Sequence, residues 1–151
     1  MTWIVRTLCW VAFLTLAPGV QAADAVAGSI KKVEGAVSIV RGGATISATP
    51  GTPILVGDRI RTAADGTVGL ALADDTLLST GPNTELVISA FQFNPTTQEG
   101  NLLARLLRGS LHVVTGLIGK ISPQNMSIQT PSVVLGVRGT EFIVQTEGEG
   151  A

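Results

Sequence analysis

Thr130-Pro131, followed by Gly136-Val137-Arg138-Gly139-Thr140-Glu141-Phe142-Ile143-Val144, decides how the rest of this chain is read. Most of it alternates small or apolar residues with polar ones, and it closes on the strand-like Phe-Ile-Val. Two glycines flank the arginine. Glycine inside a strand costs backbone entropy and packs no side chain. Gly136 and Gly139 therefore point to a bulge, a bend or another backbone passing close by. With that room, Arg138 is expected to reach across to a carboxylate or carbonyls and clamp two strands together. The stretch is expected to stabilise the fold and not to form an exposed binding site. Asp58, after Gly57, is read as a turn residue or as the partner of that clamp.

Working outward, the chain from Ala27 is a series of short alternating segments divided by Gly, Pro, Asp and Asn. Ile30, Val33, Val37 and Ile39 frame a first pair of strands, and Arg41-Gly42-Gly43 is a turn. Pro50-Gly51-Thr52-Pro53 cannot be central strand, because proline removes the ladder donor. Val68, Leu70 and Leu72 alternate with Thr67, Gly69 and Ala71, a half-buried strand. Asp74-Asp75 and Gly81-Pro82-Asn83 are turns. Leucines at 102, 103, 106 and 107 fit a helix as well as a strand. The β-like Gly109-Ser110-Leu111-His112-Val113-Val114 directly after them favours one long strand running back along residues 84–93. Residues 116–125 form a connector with room for a helical turn. Met126 to Thr130 and Val133 to Thr146 are the closing strands.

Gly35-Ala36-Val37-Ser38-Ile39-Val40 is echoed by Gly109-Ser110-Leu111-His112-Val113-Val114, and Ile60-Arg61-Thr62 by Ile128-Gln129-Thr130. Two such copies predict an all-β fold, a single compact roll or solenoid-like domain of short strands with two similar halves. A Greek-key β-sandwich is the alternative. The spacing excludes a βαβ architecture.

Residues 1–22 read as a secretory signal peptide, and residues 23–151 as the domain. Arg6 precedes an apolar run from Thr7 to Ala17, Pro18-Gly19 breaks it, and Val20-Gln21-Ala22 is a cleavage signal. The run is shorter than the roughly 20 apolar residues that span a bilayer, so no integral membrane anchor is expected after cleavage. Cleavage removes Trp3, Trp10 and the only cysteine, Cys9, leaving Phe91, Phe93 and Phe142 as the aromatics. Without a disulfide, the core alone must hold the fold. The formal charge of −1 becomes −2, nine basic residues against eleven acidic. That balance gives no electrostatic case for nucleic acid or for an anionic membrane surface.

The search for chemistry returns little. Nucleophilic catalysis needs a nucleophile beside a base, and His112 is the single histidine, read as a surface-facing strand residue. One histidine with scattered acids does not supply a zinc site. Asp74-Asp75 would point to opposite faces of a strand, and a glycosidase pair would need distant acids such as Asp58 and Glu141 across a cleft. No phosphate loop or calcium-ligand ladder is present, Asp65 included. Expected catalytic residues, metal ligands and cofactors are accordingly none.

Taken together, these stretches resemble the FecR domain, a periplasmic β domain of Gram-negative bacteria named after an iron-citrate signalling regulator. The elements carrying the resemblance are Gly35-Ala36-Val37-Ser38-Ile39, Gly57-Asp58-Arg59-Ile60-Arg61-Thr62, Asp74-Asp75-Thr76, Gly109-Ser110-Leu111-His112-Val113, and the closing stretch. The residues marked as structural motif are Gly57, Asp58, Thr62, Thr130, Pro131, Gly136, Arg138, Gly139, Thr140 and Phe142. The resemblance implies a non-enzymatic periplasmic protein-binding module in envelope signalling or regulation, with an unidentified envelope protein as partner. In the regulator, the domain follows a cytosolic helical segment and a transmembrane helix. Neither part is visible here, so the transmembrane relay is not carried over. Longer relatives add β structure after the position of Phe142, so a final strand is expected to be missing or supplied by a partner. The alternative function is binding of cell-wall polysaccharide or peptidoglycan. It is weakened by the lack of Trp and Tyr on which sugars stack.

Overall fold

The computed structural model describes residues 25–148, and the alternating segments in it are strands. The predicted leader and its cleavage site lie outside the described residues. In chain order come β1 (Val26–Glu34), β2 (Val37–Arg41), β3 (Ala44–Ser47), β4 (Pro53–Leu55), β5 (Arg59–Thr62), β6 (Thr67–Leu72), β7 (Leu77–Thr80) and β8 (Glu85–Phe93). The 15-residue β9 (Gly100–Val114), a short helix α1 (Leu117–Ile121), a 3₁₀ turn (Pro123–Asn125), β10 (Met126–Gln129), β11 (Val134–Gly136) and β12 (Glu141–Thr146) complete the chain. The leucine-rich ambiguity resolves as strand: β9 runs antiparallel to β8, pairing Leu86 with Leu106 and Phe91 with Leu102.

β9 is the spine. Its first part pairs with β8 and, in parallel, with β10; its last residues pair with β7 and β12. The change of partners falls at Gly109, whose φ is +90°. A Cβ there would collide with Thr84 Oγ1 and lie 2.6 Å from the Thr84 Cα. Glycine is therefore required both by conformation and by space. The result is one curled sheet with two parts. The first part runs β12-β9-β7-β6-β1-β4, and the second runs β3-β2-β5-β8-β9-β10-β11. Hydroxyls seal the bend. Thr84 Oγ1 accepts from Ser110 N at 3.1 Å, and Thr62 Oγ1 donates to Gly81 O at 2.7 Å while accepting from Thr84 N at 2.9 Å.

Both parts turn their apolar alternate residues inward. Ile30, Leu70, Leu78 and Leu111 from the first join Ile39, Ile60, Leu86, Ile88, Leu106 and Ile128 from the second in one core. With ideal burial each such side chain contributes about 1.5–3 kcal/mol. α1 buries Ile118 in that core. Its start is fixed by Asp74, which is buried: the carbonyl of Asp74 accepts from Leu117 N at 2.7 Å, and its Oδ2 accepts from Ile118 N and Thr76 Oγ1. The Asp74-Asp75 turn therefore also anchors the connector.

Two expectations change. Val133 to Thr146 is not one strand, because residues 137–140 leave the ladder and separate β11 from β12. The internal echo does not reflect repeated pairing either. β2 pairs with β5, whereas residues 109–114 pair with β7 and β12, and β10 runs parallel to the first part of β9. What the echoed segments share is a positive φ at their first glycine, +67° at Gly35 and +90° at Gly109.

Candidate functional site

The closing stretch divides into an anchor and a display. Val137 is buried, its N–H reaching Met126 O at 3.4 Å, and Val144 is buried beside a half-buried Phe142. Thr115 fixes the turn between them. Its N–H donates to Thr140 O at 2.8 Å, and its hydroxyl lies 3.1 Å from Gly139 O and 3.2 Å from Thr140 O. Gly139 has a φ of +125°, a backbone state that side chains rarely adopt. Thr130 closes the preceding turn over Pro131, accepting from Val133 N at 3.1 Å.

Arg138 is not the clamp. It is exposed and, among the described residues, makes no ion pair or hydrogen bond. Gly136 has no positive φ, and a Cβ there would meet no atom within 4 Å, so beyond its ladder partner Ser127 on β10 nothing crowds the side where a side chain would sit. The reason is topological: β11 is itself the edge strand, paired only with β10, and among the described residues no further strand lies beyond it. The clamp lies instead on Asp58. Arg41 Nε and Nη2 donate to its Oδ1 and Oδ2 at 2.9 and 2.6 Å, and Leu55 N donates to Oδ2 at 2.8 Å. Arg41 Nη2 also reaches Pro53 O at 2.9 Å. Sequence reading placed Arg41 in a turn and missed this role. The available signal was a strand-end arginine upstream of a Gly-Asp pair whose acid, Asp58, is buried.

The display is β12. It pairs with β9 on one side only, and among the described residues its other edge is free. Thr115 and Thr140 are a hydrogen-bonded pair in this register. Alternation then assigns Phe142, Val144 and Thr146 to the β9 side and leaves the N–H and C=O groups of Glu141, Ile143 and Gln145 facing the free edge. The side chain of Ile143 is 71% exposed, the most exposed large apolar residue described. Beside it, His112 Nε2 and Glu141 Oε1 lie 2.7 Å apart on the solvent face. At the start of β12 a cavity of about 770 Å³ opens, floored by Met126 and Val137 and bordered by Gly119, Gly136 and Arg138.

The same surface carries little apparatus for catalysis. Ser79 stands opposite His112 across the β7–β9 ladder but does not hydrogen-bond to it. Asp58 and Glu141, the distant acids considered for glycoside chemistry, are engaged with Arg41 and His112. Among the described residues no group of three or more His, Cys, Asp or Glu side chains is arranged to hold a metal ion.

Fold and site thus define a single all-β domain with a buried aspartate at its Gly57-Asp58 turn and, among the described residues, an open edge on β12. The family model described as "FecR protein" matches residues 58–151, and the chain belongs to the FecR family. That family is one of envelope-associated signalling proteins, generally regulatory and not enzymatic. No curated protein and no solved structure matches the chain. The match begins at Asp58, yet residues before it are integral to the fold: β1 pairs with β6, and β2 with β5. No helix among the described residues is long and apolar enough to cross a membrane.

Proposed function

We propose that this domain is a non-enzymatic, periplasmic protein-binding module of envelope signalling that receives an extended segment of an envelope protein along the free edge of β12. The observation that carries this reading is the character of that edge. Proteins normally blunt exposed edges with short strands, proline, lysine or bulges. The other edge strands follow that rule: β4 has three residues and starts at Pro53, β3 has four, and β11 has three and ends on Gly136. β12 has six, pairs with β9 without a bulge, and reads Glu-Phe-Ile-Val-Gln-Thr, with neither proline nor lysine. A long, regular, β-favouring edge with an exposed isoleucine at its middle is a template for strand addition.

Family membership supports the signalling context, and the leader read at residues 1–22 supports export. The test is site-specific photo-crosslinking from position 145 in the periplasm. The expected result is a cross-link to an extended segment of one envelope protein, lost when the edge is blocked at Ile143. A cross-linked partner that persists after the edge is blocked overturns the reading.

A further inference from the structure

The near-neutral net charge conceals a segregated one. The outer face of the second part of the sheet carries Arg59 and Arg61 on β5 and Arg105 and Arg108 on β9. Among the described residues the only acid on that face is Glu85 of β8, which lies 2.6 Å from Arg59, 3.3 Å from Arg61 and 3.6 Å from Arg108. Four arginines against one glutamate leave a formal +3 on one face of a chain whose total is −1. Arg105 has no ion-pair partner among the described residues. Glu147, next to the Gly148 that abuts Arg108, makes no ion pair with it either.

The register shows how these charges are set out. One cross-strand row reads Thr45, Val40, Arg59, Val87, Arg105, Gln129 and Val134, spanning all seven strands. The next row includes Ser38, Arg61, Glu85 and Arg108. Strands lie about 4.8 Å apart, so the two arginine columns stand roughly 10 Å apart, with Val87 between them in one row and Glu85 in the other. The row ends on an exposed aliphatic hairpin: Val133 is 50% and Val134 64% exposed. Beside Arg105, Leu107, Gln129, Thr130 and Pro131 enclose a pocket of about 190 Å³.

We propose that this face docks on an anionic phospholipid surface. Guanidinium groups bind phosphate oxygens in pairs, a geometry that lysine does not match. The face presents side chains and not a strand edge, so a peptide could not add to it through main-chain bonds. The adjoining Val133-Val134 pair supplies the apolar contact that accompanies basic groups in interfacial binding. A soluble acidic peptide would use the charges but not these valines. The surface is separate from the β12 edge, so the inference stands independently of the function proposed above.

The test is co-sedimentation of the purified protein with phosphatidylcholine vesicles, with and without phosphatidylglycerol. Binding is expected only when phosphatidylglycerol is present, and is expected to weaken steeply with salt. Each neutralised arginine should cut partitioning about fivefold, so Arg105→Gln with Arg108→Gln should cut it roughly 25-fold. Val134→Ser should weaken vesicle binding but leave unchanged any displacement by soluble polyglutamate. Ile143→Pro, at the other surface, should bind vesicles like the parent. Equal binding to both vesicle types, or indifference to the arginine pair in variants that melt normally, overturns the proposal. So does an unchanged Val134→Ser, which would assign the face to a soluble polyanion.

Discussion

Asp58 is gripped by Arg41 through both of its carboxylate oxygens, while Arg138, 80 residues further on, points into solvent. The Asp58 side chain is 1% exposed and Arg41 28%. The pair is therefore asymmetric. Losing the arginine strands a buried carboxylate, whereas losing the acid leaves a partly exposed cation that keeps its bond to Pro53 O.

Arg41→Ala should therefore destabilise the domain by about 3–5 kcal/mol, the usual effect of leaving one member of a buried pair uncompensated. Arg138→Ala should stay within about 0.5 kcal/mol of the parent, as expected for a surface substitution. Urea unfolding of the two variants side by side decides this. A larger loss for Arg138→Ala would restore it as the clamp.

Much of the fold was legible because strand signals are local. Val68, Leu70 and Leu72 alternate so plainly that only their partners were open, and Pro53 correctly ruled out a central strand. What could not be read was pairing over distance. Arg41 and Asp58 are 17 residues apart and meet only because β2 lies beside β5. Gly136 and Gly139 looked alike in sequence, yet one is in open space with an ordinary φ and the other holds φ +125°. Likewise, net charge is a sum, and a sum does not show that four arginines share one face. The candidate edge was half legible: the strand-like Phe142-Ile143-Val144 was plain, but that nothing described covers the other side of Ile143 needed the sheet order.

The bend at Gly109 gives a second prediction. Gly109→Ala would combine a positive φ with a collision against the Thr84 backbone. A strained backbone position costs about 1–3 kcal/mol, and the displaced Thr84 would also lose its bonds to Ser110, so the loss should exceed that range. Gly136→Ala, where space is open and φ is ordinary, should melt like the parent. Circular-dichroism melts of both variants test the contrast, and equal melting points would refute the role given to Gly109.

Thr80 tests the bend from the other side. Its hydroxyl is buried without a hydrogen-bond partner among the described residues, and desolvating such a group typically costs about 1–3 kcal/mol. Thr80→Val keeps the shape and removes the orphan, so it should raise the unfolding free energy by about 1 kcal/mol and the midpoint with it. A lower midpoint would mean that the hydroxyl is satisfied.

His112 and Glu141 form an exposed pair, 38% and 64% open at their side chains. Pairs of this kind contribute about 0–1 kcal/mol. His112→Ala should therefore leave stability and any partner binding nearly unchanged. If it abolished a measured activity while the protein stayed folded, the non-enzymatic reading would be lost.

The β12 edge yields the sharpest comparison, because two adjacent residues have opposite backbone roles. The N–H of Phe142 faces β9 and belongs to the ladder; that of Ile143 faces the free edge. Proline removes the donor in either case and is tolerated in a strand only where that donor faces outward. Phe142→Pro should break the β9–β12 pairing, leaving a ladder acceptor unsatisfied at about 1–3 kcal/mol, and lose a half-buried aromatic contact as well. Ile143→Pro should cost far less and retain most of the melting temperature. It should nevertheless remove the partner, since an added strand would find neither the donor nor the isoleucine. Thermal melts combined with the periplasmic cross-linking assay separate these outcomes. If Ile143→Pro unfolds the domain as readily as Phe142→Pro, the assigned register is wrong. If it folds and still cross-links, β12 is not the receiving edge.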